Sequence, residues 1–520
     1  MIDDRPERID RRRSSAVVVI LLALFIGALC WMATHPLAPH PLGRRGVIEL
    51  TLLQLNDVYE IEPLPGSDQG GLARVAWLRQ ELLRENPNTF VLFAGDMYSP
   101  SAIGSIKIDG TRLRGKQMVD VMIQLGLDYA TFGNHEFDYD RTTFDQRLKE
   151  ARGHFQWISS NVTYLDGSAL PGVPRNLTFD VRNAAGEVAR VGLFGVTIPT
   201  PKDAGKEYVH YRPPLVAAAE QAAALRGRVD ILVALTHLSI GEDRQIAEQV
   251  PGIDLILGGH EHENQQMHRG PTLTPIMKAD ANARSVYIHR VKFDTRTRRV
   301  RISSELRRID ADTPNDPRIE AVVRSWHERA FSALRDQGFS PEERIGTLPE
   351  ALDGLEASVR HGPTTLTTLI GQALLESAPE AELAIYNSGS VRIDDKLTPG
   401  PITQYDAFRV LPFGGSLVLV EMSGSELSEV LEIGLKNKGS GGFLQTQGVE
   451  GTATGWRIAG KRLQPDRKYK VVMNDFLLSG EERNLQRLRD DAGHLRVLKR
   501  DVGDMQKVLI EKIRSTFGRP

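Results

Sequence analysis

Six consecutive residues, Gly133-Asn134-His135-Glu136-Phe137-Asp138, bring together a neutral oxygen, an imidazole and a carboxylate. Metal-assisted hydrolysis of a phosphate ester needs that set: an oxygen for an ion, an imidazole near the leaving group and an acid to orient the imidazole. Gly, Asn and Asp also make ordinary turns, so the motif draws its weight from four others. These are Asp57-Val58-Tyr59, Gly95-Asp96, Thr236-His237 and Gly258-Gly259-His260-Glu261-His262. Each follows an apolar run that reads as a strand, over residues 48–55, 90–94, 231–235 and 253–257. Side chains at the carboxyl ends of several strands converge, because open α/β sheets build their sites there. Alone, His237 would read as a satisfied structural histidine. His260 and His262 alternate, and after the Gly258-Gly259 pair both can turn inward.

Taken in order, these segments resemble the calcineurin-like metallophosphoesterases. The stretch Gly70-Gly71-Leu72-Ala73-Arg74 and the Asn134-His135-Glu136-Phe137-Asp138 motif narrow the likeness to the 5'-nucleotidase and UDP-sugar hydrolase branch, from about residue 48 onward. The resemblance implies an α/β (α+β) fold: a four-layer β-sandwich flanked by helices, then a C-terminal α/β nucleotidase domain. It also implies two divalent ions (manganese, zinc, magnesium or iron) that activate a water and clamp the attacking and leaving oxygens. Carried over residue by residue, Asp96 bridges the ions, Asp57 and His262 hold one, and Asn134, His237 and His260 hold the other. His135, held by Asp138, protonates or stabilises the leaving oxygen. One position departs from the family, which has Asp-x-His where this chain has Asp57-Val58-Tyr59. A neutral phenol is a poor ligand for a borderline divalent ion, and a phenolate suits a harder one such as ferric iron. Three readings stay open for Tyr59: a weakened site, a different metal, or a hydrogen bond to a bound water.

The elements that must position these residues follow from periodicity. Helical spacing covers residues 70–85, Lys116–Leu125 and 144–151; strand-like runs cover 129–132, 157–160 and 189–196. At 520 residues the chain is too long for one core. A net charge of −2 gives no sign of a nucleic-acid partner. The one cysteine, Cys30, excludes an intrachain disulfide and a cysteine-based zinc site from the folded part. The expected organisation is a basic cytoplasmic start (1–15), an apolar segment (16–33), a proline-rich linker (34–47), the catalytic domain (48–310), a bridging helix (311–345) and the C-terminal domain (346–520). The segment 16–33 is read as a transmembrane signal anchor that leaves the catalytic part periplasmic or extracellular. A cleaved signal peptide and a lipoprotein signal at Cys30 are the alternatives, and each of the three exports the enzyme.

In the second domain, helical spacing covers Thr365–Ser377, and the segment from 494 to the end reads as a charged helical tail. Asn387-Ser388-Gly389-Ser390-Val391-Arg392 and Pro412-Phe413 match the nucleotidase C-terminal domain, which binds the leaving part of the substrate. The expected substrate contacts are Asn387, Arg392 as the cation and Phe443 as an aromatic face for a base; a hydrophobic plug is the other reading of Phe443. The family commonly carries Gly-Gly-Asp-Gly-aromatic where this chain has Ser479-Gly480-Glu481-Glu482-Arg483-Asn484, so a two-sided base sandwich is in question. The leading function is hydrolysis of nucleotide phosphate esters. The alternatives are a UDP-sugar or cyclic-nucleotide phosphodiesterase, a sulfur-ester hydrolase of the same family, and a non-catalytic binding protein on the same fold.

Overall fold

The computed structural model describes residues 46–518, apart from 65–67, 201–204, 206, 453–454 and 483. The segment anticipated at 16–33 lies outside the described residues. Among these, no helix is long and apolar enough to cross a membrane.

The first domain is built around the strand Val47–Leu55. It runs parallel to Thr89–Ala94 and antiparallel to Ser285–Asp294. The sheet of six strands runs in the order Arg299–Arg308, Ser285–Asp294, Val47–Leu55, Thr89–Ala94, Tyr129–Thr131, Gln156–Ile158. Successive side chains of a strand point to opposite faces. Ile48, Leu50 and Leu52 meet Val191, Leu193, Val233 and Leu235 of a second six-stranded sheet. Leu53 and Leu55 face the helices Leu72–Glu85 and Lys116–Leu125. A strand covered on both faces reads as an unbroken apolar run, which is how residues 48–55 stand in the sequence. The outer face of the second sheet packs on Pro214–Leu225 and Ile240–Gln249 through Val196, Leu232, Ala234 and Ile256. The result is the four-layer sandwich anticipated above.

One polar side chain sits inside the sandwich. Gln54 is fully buried and therefore needs partners. Its amide nitrogen donates to the carbonyls of Gly258 (3.0 Å) and Met277 (2.9 Å) on the facing sheet. Its oxygen accepts from His289 Nε2 at 2.9 Å. The two sheets are thus pinned together just below the loops that carry Asp57 and His260.

The helix Pro317–Asp336 links the two domains; Asp316 caps it by accepting from Arg318 N–H and Ile319 N–H. Its first half packs on the catalytic domain, where Trp326 Nε1 donates to Asp120 Oδ2 at 2.7 Å. Its second half reaches the C-terminal domain, where Phe331 packs on Tyr405 with ring centroids 4.8 Å apart. The C-terminal sheet runs Leu444–Gln447, Leu383–Asn387, Lys468–Asn474, Ser416–Ser423, Leu495–Asp504. Ala384, Tyr386, Leu417 and Leu419 face the helices Thr365–Ser377 and Met505–Phe517. Leu383, Ile385, Val418 and Val420 face Gly424–Lys436.

One expectation is corrected here. The tail from 494 is not one helix: Leu495–Asp504 is an edge strand, and helix begins only at Met505. Register shifts break the strand's alternation, and its outer side chains are charged, as suits an edge. A three-stranded ribbon, Val449–Thr452, Gly455–Ile458 and Lys461–Arg462, was also not anticipated.

Candidate active site

The first-domain loops meet at the carboxyl ends of parallel strands. Asp57 follows Val47–Leu55, Asp96 follows Thr89–Ala94, His237 closes Ile231–His237, and His260 follows Leu255–Gly258. Asp57, Asp96 and His260 have φ of 52°, 66° and 85°. For residues with a Cβ such a backbone costs about 1–3 kcal/mol each and persists only where the surroundings impose it. Two glycines leave the room required. A Cβ on Gly133 would collide with the Asp96 carboxylate, and one on Gly259 would come within 2.9 Å of Asp57 Oδ2 and His237 Nδ1.

Ligand atoms of Asp57, Asp96 and His237, all buried, lie within 4.8 Å of one another. His237 Nδ1 lies 2.8 Å from Ala94 O and donates to it, so Nε2 is left facing the carboxylates, 3.0 Å from Asp96 Oδ2 and 3.9 Å from Asp57 Oδ1. Burial alone would lower the His237 pKa, but Asp96 and Asp57 raise it to about 9, so this corner calls for positive charge. Burial and the neighbouring His237 push His260 down to about 3, which keeps a neutral imidazole available as a ligand. For His262, burial is outweighed by Asp394, which raises the ring to about 10. The residues fit a metal centre on a further observation. Asn134 Oδ1 is buried with no hydrogen-bond partner among the described residues. An unsatisfied buried acceptor costs about 1–3 kcal/mol, and a cation would satisfy it. Carboxylates, an amide oxygen and imidazoles suit divalent ions of the manganese-to-zinc series.

Beside this cluster, His135 Nδ1 lies 2.7 Å from Asp138 Oδ2, which also accepts from Ser99 Oγ at 3.0 Å. Arg392, from the C-terminal domain, places Nη2 3.4 Å from His135 Nδ1 and 3.9 Å from Asp138 Oδ2. Asp394, two residues on, pairs with His262 Nδ1 and accepts from Glu356 N–H at 2.6 Å. Both domains line one cleft of about 2050 Å³. Asn387 borders it, but its amide is engaged by Glu482 (2.9 Å), Asn474 (3.0 Å) and Ser390 (2.7 Å). Phe443 is buried at 7% exposure, so the plug is the reading its environment supports. The exposed rings on the cleft are Phe413 and Phe476, at 41% and 36% exposure. Phe413 stands in the quoted Pro412-Phe413 motif, which was the available signal. Asn484 donates from Nδ2 to Asn437 Oδ1 at 3.0 Å and lines the cleft as a polar group.

Sequence reasoning gave no role to two supports of the ligand loops. Glu136 is fully buried and accepts from four backbone N–H groups: Asp96 (2.9 Å), Met97 (2.6 Å), Tyr98 (3.2 Å) and Gly133 (2.5 Å). One carboxylate thus joins the Asp96 loop to the Asn134 loop. Lys278, also fully buried, pairs with Asp243 (2.8 Å) and Glu261, and donates to Leu238 O (2.6 Å) and Gly259 O (2.8 Å). It anchors the loop of His260 and His262. A lysine ending the apolar strand Thr274–Lys278 was the signal for it.

A cluster of buried carboxylates and an imidazole on the ends of sandwich strands, with a His–Asp pair beside it, is the arrangement of a metallophosphoesterase. Residues 50–264 match the calcineurin-like phosphoesterase family, and residues 344–487 match the 5'-nucleotidase C-terminal domain. The chain belongs to the two-domain phosphoesterases that combine them. It is 26% identical to the 5'-nucleotidase of Bos taurus over 547 residues, 93% of this chain and 89% of that one. It is 25% identical to the snake venom 5'-nucleotidase of Naja atra over 519 residues, 86% and 93% of the two chains. In fold it matches the 5'-nucleotidase precursor from Thermus thermophilus with a TM-score of 0.70, at 23% identity, over 90% of this chain and 96% of that one. The chain is a metal-dependent hydrolase of nucleotide phosphate esters with a dimetal centre.

Proposed function

We propose that this chain removes phosphate from nucleotides outside the cytoplasm, with each domain supplying half of the site. Asp57, Asp96, Asn134, His237, His260 and His262 would hold the two ions. When bound, the ions supply Lewis acidity at the phosphate oxygens and an activated water at neutral pH. His135 does the proton work. Its Nδ1 is taken by Asp138, so Nε2 is the atom that can protonate the leaving oxygen, and the Asp138 carboxylate stabilises the charge the ring carries. Arg392 reaches the same point from the other domain and binds the anionic substrate. Phe413 offers a bare aromatic face in a polar cleft, which suits a nucleobase. The observation that carries this reading is the convergence of the orphaned Asn134 Oδ1, the His135–Asp138 pair and Arg392 on one cleft.

A second reading, a nucleoside diphosphate sugar as substrate, is favoured by the cleft itself. Its volume of about 2050 Å³ is large for a nucleoside monophosphate, since small-molecule sites run to about 300–1,000 Å³. Where a second aromatic is usual, the wall is Glu481, Glu482 and Asn484. Export through the segment 16–33 is part of the proposal, and the likeness to a venom enzyme supports it.

The test is phosphate release by the full chain, stripped of metal and reloaded, on nucleoside monophosphates, nucleoside diphosphate sugars and cyclic nucleotides. Release from monophosphates is expected. His135→Ala should lower turnover by about 10²–10⁴-fold with metal content unchanged. Loss of metal in that variant would make His135 a ligand, and activity on diphosphates alone would establish the second reading.

A further inference from the structure

Of the large apolar side chains exposed among the described residues, two are aromatic, Phe413 and Phe476, and both line the cleft. Topology brings them together. The strands Ser416–Ser423 and Lys468–Asn474 are antiparallel neighbours, with Leu417 opposite Asn474. Phe413 stands just before the first strand and Phe476 just after the second, so both residues lie at one end of the sheet. The loops that carry them are tied to each other. Asp475 Oδ2 accepts from Ser416 N–H at 3.1 Å, and a Cβ on Gly415 would come within 2.8 Å of Asp475 Oδ1. Gln506 Nε2 donates to Leu411 O at 2.8 Å in the first loop, and Ser479 Oγ donates to Phe476 O at 2.8 Å in the second. The backbone under both rings is thus fixed while the rings face water. Arg392 joins this corner to the chemistry: its Cζ lies 5.9 Å from the Phe413 ring centroid, and its Nη2 lies 3.4 Å from His135 Nδ1.

We propose that the base of the substrate packs on Phe413 and Phe476 together, and that Phe443 takes no part in holding it. The assignment rests on the nucleotide reading above and adds where the base lies. Proton donor, cation and aromatic rings follow one another along the cleft. A 5'-nucleotide needs the same order, because its base stands one ribose away from its charged, reacting phosphate. Rings left open in a concave site gain by being covered, through apolar area removed from water and through stacking on the π-face of a base. Phe443 has no such face to give. Its side chain is buried, and its carbonyl is held by Ser388 N–H at 2.8 Å. Asn484, at the place where an aromatic is usual, offers an amide and gives it to Asn437. The aromatic wall of this cleft is therefore built from the loops that follow Leu411 and Asn474.

The full chain, stripped of metal and loaded in turn with manganese, zinc, magnesium and iron, is assayed on adenosine 5'-monophosphate and on ribose 5-phosphate, which keeps the ester and the sugar without the base. The readout is the ratio of kcat/KM on the first to that on the second. Wild type should favour the nucleotide about tenfold or more. Phe413→Ala and Phe476→Ala, with folds checked by circular dichroism, should each lower the ratio about 5–100-fold, the loss of one stacking face. Phe413→Trp, which keeps a ring, should hold it near wild type, and Phe443→Leu should leave it unchanged. A ratio that stays at wild type in both alanine variants overturns the proposal. So does one that falls only in Phe443→Leu, or a wild type that works equally on both substrates. Each of these leaves the phosphohydrolase reading standing, since metal-dependent release continues. A chain that releases phosphate from neither substrate with any of the ions overturns both.

Discussion

Glu136→Gln tests how the ligand loops are held. The substitution preserves shape and volume. The native carboxylate serves two N–H donors on each oxygen: Asp96 and Gly133 on Oε2, Met97 and Tyr98 on Oε1. A glutamine has one acceptor oxygen, so whichever way the amide turns, its NH2 faces two backbone donors. At about 1–3 kcal/mol for each buried donor left unpaired, the loss is about 2–6 kcal/mol. That is a large part of the roughly 5–15 kcal/mol that holds a domain together. The strained Asp96 backbone, with φ of 66°, is fixed by two of these bonds. The assay is threefold: thermal unfolding, amide hydrogen exchange at residues 96, 97, 98 and 133, and metal content after dialysis. Lower melting, faster exchange at those amides and partial loss of metal are expected together. Unchanged exchange protection and full metal retention would refute the reasoning, because the donors would then have partners that the geometry does not give them.

Lys278→Met should cost about 3–5 kcal/mol by leaving the Asp243 and Glu261 charges uncompensated, read by thermal unfolding. Adding Asp243→Asn should recover part of the loss, and strictly additive losses would argue against the pair. Acid should destabilise the fold through His289, which burial pushes down to about 3 from an ordinary 6.5. A base whose folded pKa is depressed contributes its full stability above about 6.5, and that stability drains away as pH falls toward 3. The protonation penalty is about 4–5 kcal/mol. Denaturation midpoints against pH should therefore fall less steeply in His289→Gln across that window, and equal slopes would show that another group governs it. Asp394→Ala should weaken retention of one ion by about 10–100-fold, since it removes the carboxylate that orients His262. Metal content equal to wild type would show that His262 holds its position without it.

How much of this was legible in the sequence depends on the scale of the signal. The strands were readable because they are covered on both faces and stand in the chain as short apolar runs, each followed by a candidate ligand; their four-layer arrangement was not, and came only with the family resemblance those motifs carry. Lys116–Leu125 and Thr365–Ser377 fall where periodicity places them. The strand Leu495–Asp504 was not readable, because a register shift and an exposed edge erase the alternation that marks a strand. Within the site, the residue types of the ligand loops were visible, but their supports were not. Glu136 lies inside a quoted motif, yet nothing local reveals that its partners include amides about 40 residues upstream. Phe443 and Phe413 illustrate the same limit: two phenylalanines in Gly-rich loops look alike until packing buries one and leaves the other open.

In the proposed site the C-terminal domain would do more than contact the substrate. Arg392 and Asp394 sit on one loop, two residues apart, and point at different parts of the first domain. Arg392 reaches the His135–Asp138 pair, while Asp394 takes hold of His262, whose Nε2 faces Asp57 and Tyr59. A displacement of that loop would therefore separate Arg392 from His135, the proposed proton donor, and release His262, a proposed metal ligand, at the same time. Glu356 fixes the loop by donating its N–H to Asp394, and Arg360 pairs with Glu356 in turn. The apolar cluster along Pro317–Asp336 is continuous through both domains and holds the loop at this distance. The position of the second domain and the assembly of the first domain's site are thus one structural variable, set by a loop that belongs to neither set of ligands in sequence.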